Sequence, residues 1–161
     1  MMSRRSQGTE DAFDELMGSV KCSFGALVAG PRHRLAELPR GMPKAGIYLL
    51  SERGRALYVG RSNNLWRRLQ FHTRNNHNQA TLAFLIARRK TGFVKASYQS
   101  KGSRQDLLRN PRFRAEFDVA RERIWQMDVQ FVEMRDPIKQ TLLEVFAALQ
   151  TGAQYNDFDN H

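Results

Sequence analysis

The stretch from Gly46 to His72, GIYLLSERGRALYVGRSNNLWRRLQFH, narrows the folds open to this chain more than any other. Residues 45–50 and 56–59 are apolar or aromatic, as buried strands are, and the five residues between them, Ser51-Glu52-Arg53-Gly54-Arg55, supply turn chemistry. The pair reads as an antiparallel hairpin with one tyrosine on each strand, Tyr48 and Tyr58. Gly60 ends the second strand, and Ser62 or Asn63 caps a helix that runs to about Thr73. At 100° per residue and with Leu65 at zero, Leu69 falls at roughly 40°, His72 at roughly 340°, Arg68 at roughly 300° and Arg67 at roughly 200°. Arg68 and His72 therefore flank the apolar stripe turned toward the sheet, while Arg67 points away, to surface or to phosphate. A charged residue beside a core stripe is more often only the margin of an amphipathic face, so geometry alone makes neither of them functional.

Charge is distributed unevenly. The chain carries 26 Lys or Arg against 16 Asp or Glu, a net charge of +10. Between Glu52 and Asp106 lie 53 residues with no acid and twelve bases, which leaves 14 bases against 16 acids elsewhere. The whole positive excess sits in one third of the chain. That is the footprint of a polyanion-binding surface, because phosphate neutralisation supplies most non-specific nucleic-acid affinity; a merely solvated basic face is the alternative. A length of 161 residues, 41% of them hydrophobic and 26% charged, suits one soluble domain. No run approaches the roughly 18 apolar residues of a membrane span. The single cysteine, Cys22, rules out an internal disulfide and a cysteine-based zinc site, so the expected setting is cytoplasmic.

Before the hairpin, residues 1–8 are polar and aperiodic and are expected to be disordered. Thr9 can cap a short helix with Phe13, Leu16 and Met17 at helical spacing, ended by Gly18. Three glycines and three prolines in residues 19–45 predict an irregular arm with one turn of helix at 35–38, and a domain boundary near Met42. Residues 1–42 are thus expected to form a partly disordered arm, and residues 43–161 the domain. Beyond His72, helices are expected at 79–90, with Leu82, Leu85 and Ile86 inward, and at 110–124, with Phe113, Phe117, Ala120 and Ile124 on one stripe. Residues 93–98 read as a strand and 99–105 as a loop. A further strand is expected at 128–134. Asp136-Pro137 then opens a helix that Gly152 ends, with Ile138, Leu142, Val145 and Leu149 along one face. Glu144 interrupts this nearly all-apolar helix. Its carboxylate must pair with a cation, reach a polar opening, or serve as a hard-metal ligand, since magnesium often takes only one or two protein carboxylates.

Gly46-Ile47-Tyr48, nine residues, and then Tyr58-Val59-Gly60 resemble the paired signature of the GIY-YIG nucleases, with valine in place of the second isoleucine. GRSNNLWRRLQFH resembles the family's helix, with Arg68 as its arginine and His72 four residues on. Glu144 in a strand-then-helix setting and Asn156 twelve residues later extend the resemblance over most of the chain beyond the arm. The 72 residues from His72 to Glu144 exceed the separation in compact members. The basic segment at about 79–125 is therefore read as a mainly helical insertion.

The resemblance implies an α+β fold in which helices flank a small central three-stranded antiparallel sheet. It implies divalent-metal-dependent hydrolysis of phosphodiester bonds in DNA, of restriction or repair type; a non-catalytic nucleic-acid-binding domain of the same fold is the alternative. Carried over position by position, Tyr48 and His72 share the general-base work, Arg68 holds the scissile phosphate, and Tyr58 orients water or phosphate. Glu144 binds one magnesium or manganese ion, and Asn156 hydrogen-bonds within the site. Arg61, Arg67, Arg74, Arg88, Arg89 and Lys90 are the expected nucleic-acid contacts. Branched, damaged or site-specific duplexes are all candidate substrates, met by a monomer or a homodimer.

Overall fold

The computed structural model describes residues 4–93 and 103–158. Strands β1 (His33–Arg34), β2 (Gly46–Glu52), β3 (Arg55–Ser62) and β4 (Asp128–Glu133) form one sheet in the order β1-β4-β2-β3, with every neighbouring pair antiparallel. Six helices surround it: α1 (Arg4–Ala29), α2 (Leu65–Phe71), α3 (Thr81–Thr91), α4 (Arg104–Arg109), α5 (Pro111–Trp125) and α6 (Pro137–Thr151).

The hairpin forms where the sequence indicates, but its turn is two residues rather than five, and β3 runs through Gly60, which pairs with Tyr48, to Ser62 instead of ending at the glycine. Glu52 pairs with Arg55 across a two-residue turn in which Arg53 and Gly54 have φ of 51° and 77°. Both central residues are left-handed, the geometry that matches the twist of the flanking strands. Because β2 is central and has helices over both faces, it is buried along almost its whole length, which accounts for its unbroken apolar run. Tyr48 and Leu50 face a core with Leu65, Leu69, Phe84, Phe113 and Phe117. Ile47 and Leu49 face a second core with Val20, Leu27, Leu143 and Ala147.

The N-terminal segment departs most from expectation. One helix starts at Arg4, inside the stretch expected to be disordered, and continues through Gly18 and Gly25 to Ala29. A helix-interior glycine costs about 1 kcal/mol. Burying Val20 and Leu27 outright, with Met17 and Phe24 partly buried against the sheet and α6, outweighs that. The sheet also has four strands rather than three. His33 and Arg34 carry no strand pattern; they pair with the open edge of β4, and Leu35 N donates to Met127 O at 3.0 Å. A single turn of 3-10 helix, Leu35–Glu37, follows where one turn was expected.

The insertion is helical. Its two long helices, α3 and α5, pack together, with the Phe84 and Phe113 rings 5.0 Å apart. Helix α4, whose first two residues lie in the expected loop, is capped by Ser103, whose Oγ accepts from Asp106 N. Of the strand expected at 93–98, Phe93 is not in a strand and the remainder lies outside the described residues. In α6, Asp136 Oδ1 accepts from Ile138 N and Lys139 N, and Gln140, Leu143, Ala147 and Ala148 are buried. The predicted apolar face of Ile138, Val145 and Leu149 is turned to solvent instead.

Gln130, 3% exposed, ties the layers together: its Nε2 donates to Val28 O at 2.9 Å and Gly30 O at 2.8 Å, satisfying carbonyls at the end of α1. Gln130→Leu should lower unfolding stability by about 1–3 kcal/mol by stranding them. Chemical denaturation measures this, and an unchanged midpoint would mean that the amide clamp contributes nothing.

Candidate active site

Register places the site. Tyr48 on β2 stands opposite Gly60 on β3, and a Cβ at position 60 would overlap the Tyr48 ring at Oη, Cζ and Cε1. The absence of a side chain there lets the ring lie across β3. Gly46 serves a similar end, since a Cβ there would run into the Val132 carbonyl of β4. Leu65 N donates to Lys44 O at 2.8 Å, which fixes the start of α2 against the entry to β2. The Asn64 side chain caps the helix by accepting from Arg67 N.

Arg68 and His72 then face the sheet, and Arg67 faces outward, as the helical phase requires. The Tyr48 Oη lies 2.7 Å from His72 Nε2, and Arg68 Nε donates to the same oxygen at 3.3 Å. Arg68 Nη1 donates to Gln79 O at 3.3 Å. Arginine can only donate, so Tyr48 accepts from Arg68. The bond between Tyr48 Oη and His72 Nε2 runs from the phenol when the imidazole carries its proton on Nδ1 and to the phenol when it carries it on Nε2; Nδ1 is buried and has no partner among the described residues. Burial, and secondarily the Arg68 charge, holds the His72 pKa down to about 3, so the ring is neutral. Burial likewise pushes the phenols of Tyr48 and Tyr58 above their ordinary range. The Tyr58 ring completes the cluster at 6.2 Å from Tyr48 and 5.6 Å from His72.

Glu144 comes from the other face of the sheet. β3 is an edge strand, and α6 packs along it, so a side chain of α6 can reach around the edge. Its Oε2 accepts from Arg61 Nε at 2.9 Å, with side-chain exposures of 21% for Glu144 and 45% for Arg61. Burial raises the carboxyl above its usual range against the pull of Arg61 and Arg68, and its charge is felt by both tyrosines. Asn156 is used differently: Oδ1 accepts from Val59 N and Nδ2 donates to Val59 O, each at 2.8 Å. Its amide therefore extends the β3 ladder between Tyr58 and Gly60. The Gln79 carbonyl on Arg68 was not foreseen, and a backbone acceptor leaves no mark in sequence.

Among the described residues no group of three or more His, Cys, Asp or Glu could cage a metal ion. The donor set fits a different arrangement: one hard carboxylate, paired with a half-exposed Arg61 and within the electrostatic reach of Arg68. Of the expected nucleic-acid contacts, Arg67 and Arg74 lie over the Phe71 ring, with guanidinium carbons at 5.0 and 4.7 Å from its centroid. Arg89 lies over Tyr155 at 4.5 Å, and Arg88 donates to Phe93 O at 3.1 Å. Lys90 is exposed beside them, and Arg61 is the Glu144 partner.

The family model for the GIY-YIG catalytic domain matches residues 44–128, just over half of the chain, and the chain belongs to the GIY-YIG family. The members of this family are generally endonucleases. No curated protein and no solved structure matches it. The matched span contains Tyr48, Tyr58, Arg68 and His72 and stops short of Glu144 and Asn156.

His72 gives the site a pH signature. The unfolded chain protonates this ring below about 6.5, whereas the folded chain keeps it neutral to about 3. The unfolded state binds more protons in that window, so this contribution is whole above pH 6.5 and is lost as pH falls, by up to about 1.4 kcal/mol per unit. His72→Gln should flatten the acid limb of the stability curve between pH 6.5 and 5 relative to wild type. Parallel limbs for the two proteins would show that the folded imidazole takes up its proton normally.

Proposed function

We propose that the chain is a divalent-metal-dependent endonuclease that hydrolyses phosphodiester bonds in DNA, in a restriction or repair role. The observation that carries this reading is the hydrogen-bonded cluster of Arg68, Tyr48 and His72, buried at the inner end and cationic at the outer, in which an imidazole protonated on Nδ1 leaves Nε2 to accept from the phenol. A water at Tyr48 Oη can pass its proton to that oxygen as the phenol passes its own to His72 Nε2. Tyrosine and histidine thus act as one relay, which suits a phenol too buried to ionise and an imidazole too enclosed to meet water directly.

Arg68 holds the scissile phosphate with the donors that Tyr48 and Gln79 leave free, and its planar fork suits two oxygens of one phosphate. Pairing that guanidinium with an anion also lifts one of the two causes that depress His72, so substrate raises the basicity of the relay it needs. Tyr58 lines the same space and orients water or phosphate. Asn156 keeps β3 straight beneath both. Glu144 is the residue that would hold a magnesium or manganese ion, which would supply charge neutralisation at the leaving oxygen. The acid-free basic stretch, with Arg67 and Arg74 at its surface, supports duplex binding through phosphate.

Nicking of supercoiled plasmid, with magnesium or with chelator, tests the whole reading. Glu144→Ala should abolish nicking while the protein stays folded and retains DNA in a mobility-shift assay; undiminished nicking would remove Glu144 from the site. Arg68→Lys keeps the charge but loses the fork and should cost at least tenfold in rate. A wild-type rate in that variant would mean that the phosphate is held elsewhere.

A further inference from the structure

Helices α1 and α6 lie side by side over the face of the sheet opposite α2, and they run in the same direction. Lys139 Nζ donates to Ser19 Oγ, and farther along the Phe24 and Phe146 rings meet edge to face at 5.4 Å. Each helix leaves an outward face. On α6 that face carries Ile138, Val145 and Leu149, with Ile138 63% exposed and Leu149 70% exposed, and Leu142 at its margin, half-buried against the core. At 100° per residue these four fall within a band roughly 60° wide, directly opposite the buried side of α6. On α1 the outward face carries Gly18, Cys22, Gly25 and Ala29, all exposed, in a band of about the same width opposite Val20 and Leu27. Nothing lies within 4 Å of where a Cβ at Gly18 or Gly25 would stand.

The two stripes share one spacing, four-three-four, and their heights agree to within about two residues, or about 3 Å, since Lys139 on α6 meets Ser19 on α1 and Phe146 meets Phe24. One stripe is large and the other small. A twofold axis running parallel to the helices and between them would lay α1 of a second copy over α6 of the first without changing height. The row Ile138, Leu142, Val145 and Leu149 would then lie along the row Gly18, Cys22, Gly25 and Ala29 of the other copy. The same operation repeats the contact on the other side, so both stripes of both copies are covered.

We infer that the α1/α6 layer is a homodimer interface in which the large apolar stripe of each copy packs into the small-residue groove of the other. The occupant is a second copy because the surface supplies both halves of the fit, ridge and groove, at equal spacing and overlapping heights. The four apolar side chains alone present on the order of 300 Å² per copy, within the range of a functional patch. With the groove and both copies counted, the contact removes on the order of 1,200 Å², the lower end of a specific dimer. The dimer leaves the face bearing Tyr48, Arg68 and His72 open on each copy, turned outward. It neither rests on the nuclease reading nor needs it.

Sedimentation velocity on the full chain at micromolar concentrations tests the inference. Wild type should sediment as a dimer that dissociates on dilution. Leu149→Arg, which places a charge on the ridge, should give a monomer. Gly25→Leu fills the groove from the other side and should also give a monomer. It meets open space within its own copy and replaces a poor helix former with a good one, so its unfolding temperature should hold or rise. A monomeric wild type overturns the inference. So does a Gly25→Leu protein that remains dimeric while Leu149→Arg does not, because that result describes α6 pairing with α6.

Discussion

The close approach of β3 to β2 at Gly60 is the constraint on which the site depends. With no side chain at position 60, the Tyr48 ring lies over the backbone of its neighbouring strand and its hydroxyl reaches α2. Any side chain there would lift the ring and move Oη away from both Arg68 and His72. The central position of β2 makes the placement rigid: strands pair on both sides, helices pack on both faces, and Tyr48 is fully buried. A phenol in that setting does not ionise, and it shares a hydrogen bond with His72 Nε2 at 2.7 Å.

The hairpin and α2 were legible because local and tertiary preferences agree there. Turn residues sit between two apolar runs, and the angular positions of Arg67, Arg68 and His72 follow from helix geometry once Leu65 and Leu69 face the core. The parts that sequence hid are those in which tertiary contacts decide. Gly18 and Gly25 read as breaks, but α1 is continuous because its inner face is buried against the sheet and α6. His33 and Arg34 become a strand only because β4 presents an open edge to them. In α6 the apolar residues encircle the helix, so the pattern could not say which side is inward, and the side with smaller residues, Ala147 and Ala148, is the one that packs.

Glu144 and Asn156 show the same limit within the site. Sequence order brought them into view, but neither position carries a periodic signal saying where its side chain ends. Asn156 makes two hydrogen bonds to a single residue of an edge strand, an arrangement that a turn could equally have supplied. Glu144 binds Arg61 at the sheet's edge from a helix on the opposite face, and its charge is felt by Tyr48 and Tyr58, a placement that depends on β3 being the edge strand among the described residues. The candidate site thus draws on residues from both faces of the sheet.

That edge also accounts for the charge pattern. A half-buried carboxylate beside two buried phenols would repel a nucleic acid, and Arg61 and Arg68 offset it from either side. Arg61 is the more exposed of the two and makes a single bond to Glu144, so a phosphate can compete for it. Arg68 is tethered at Tyr48 and Gln79 and stays in place. On the nuclease reading proposed above, an incoming phosphate would draw Arg61 off its carboxylate and neutralise Arg68 where it stands, and both changes would act in one direction, leaving Glu144 free to take a cation and His72 freer to take a proton.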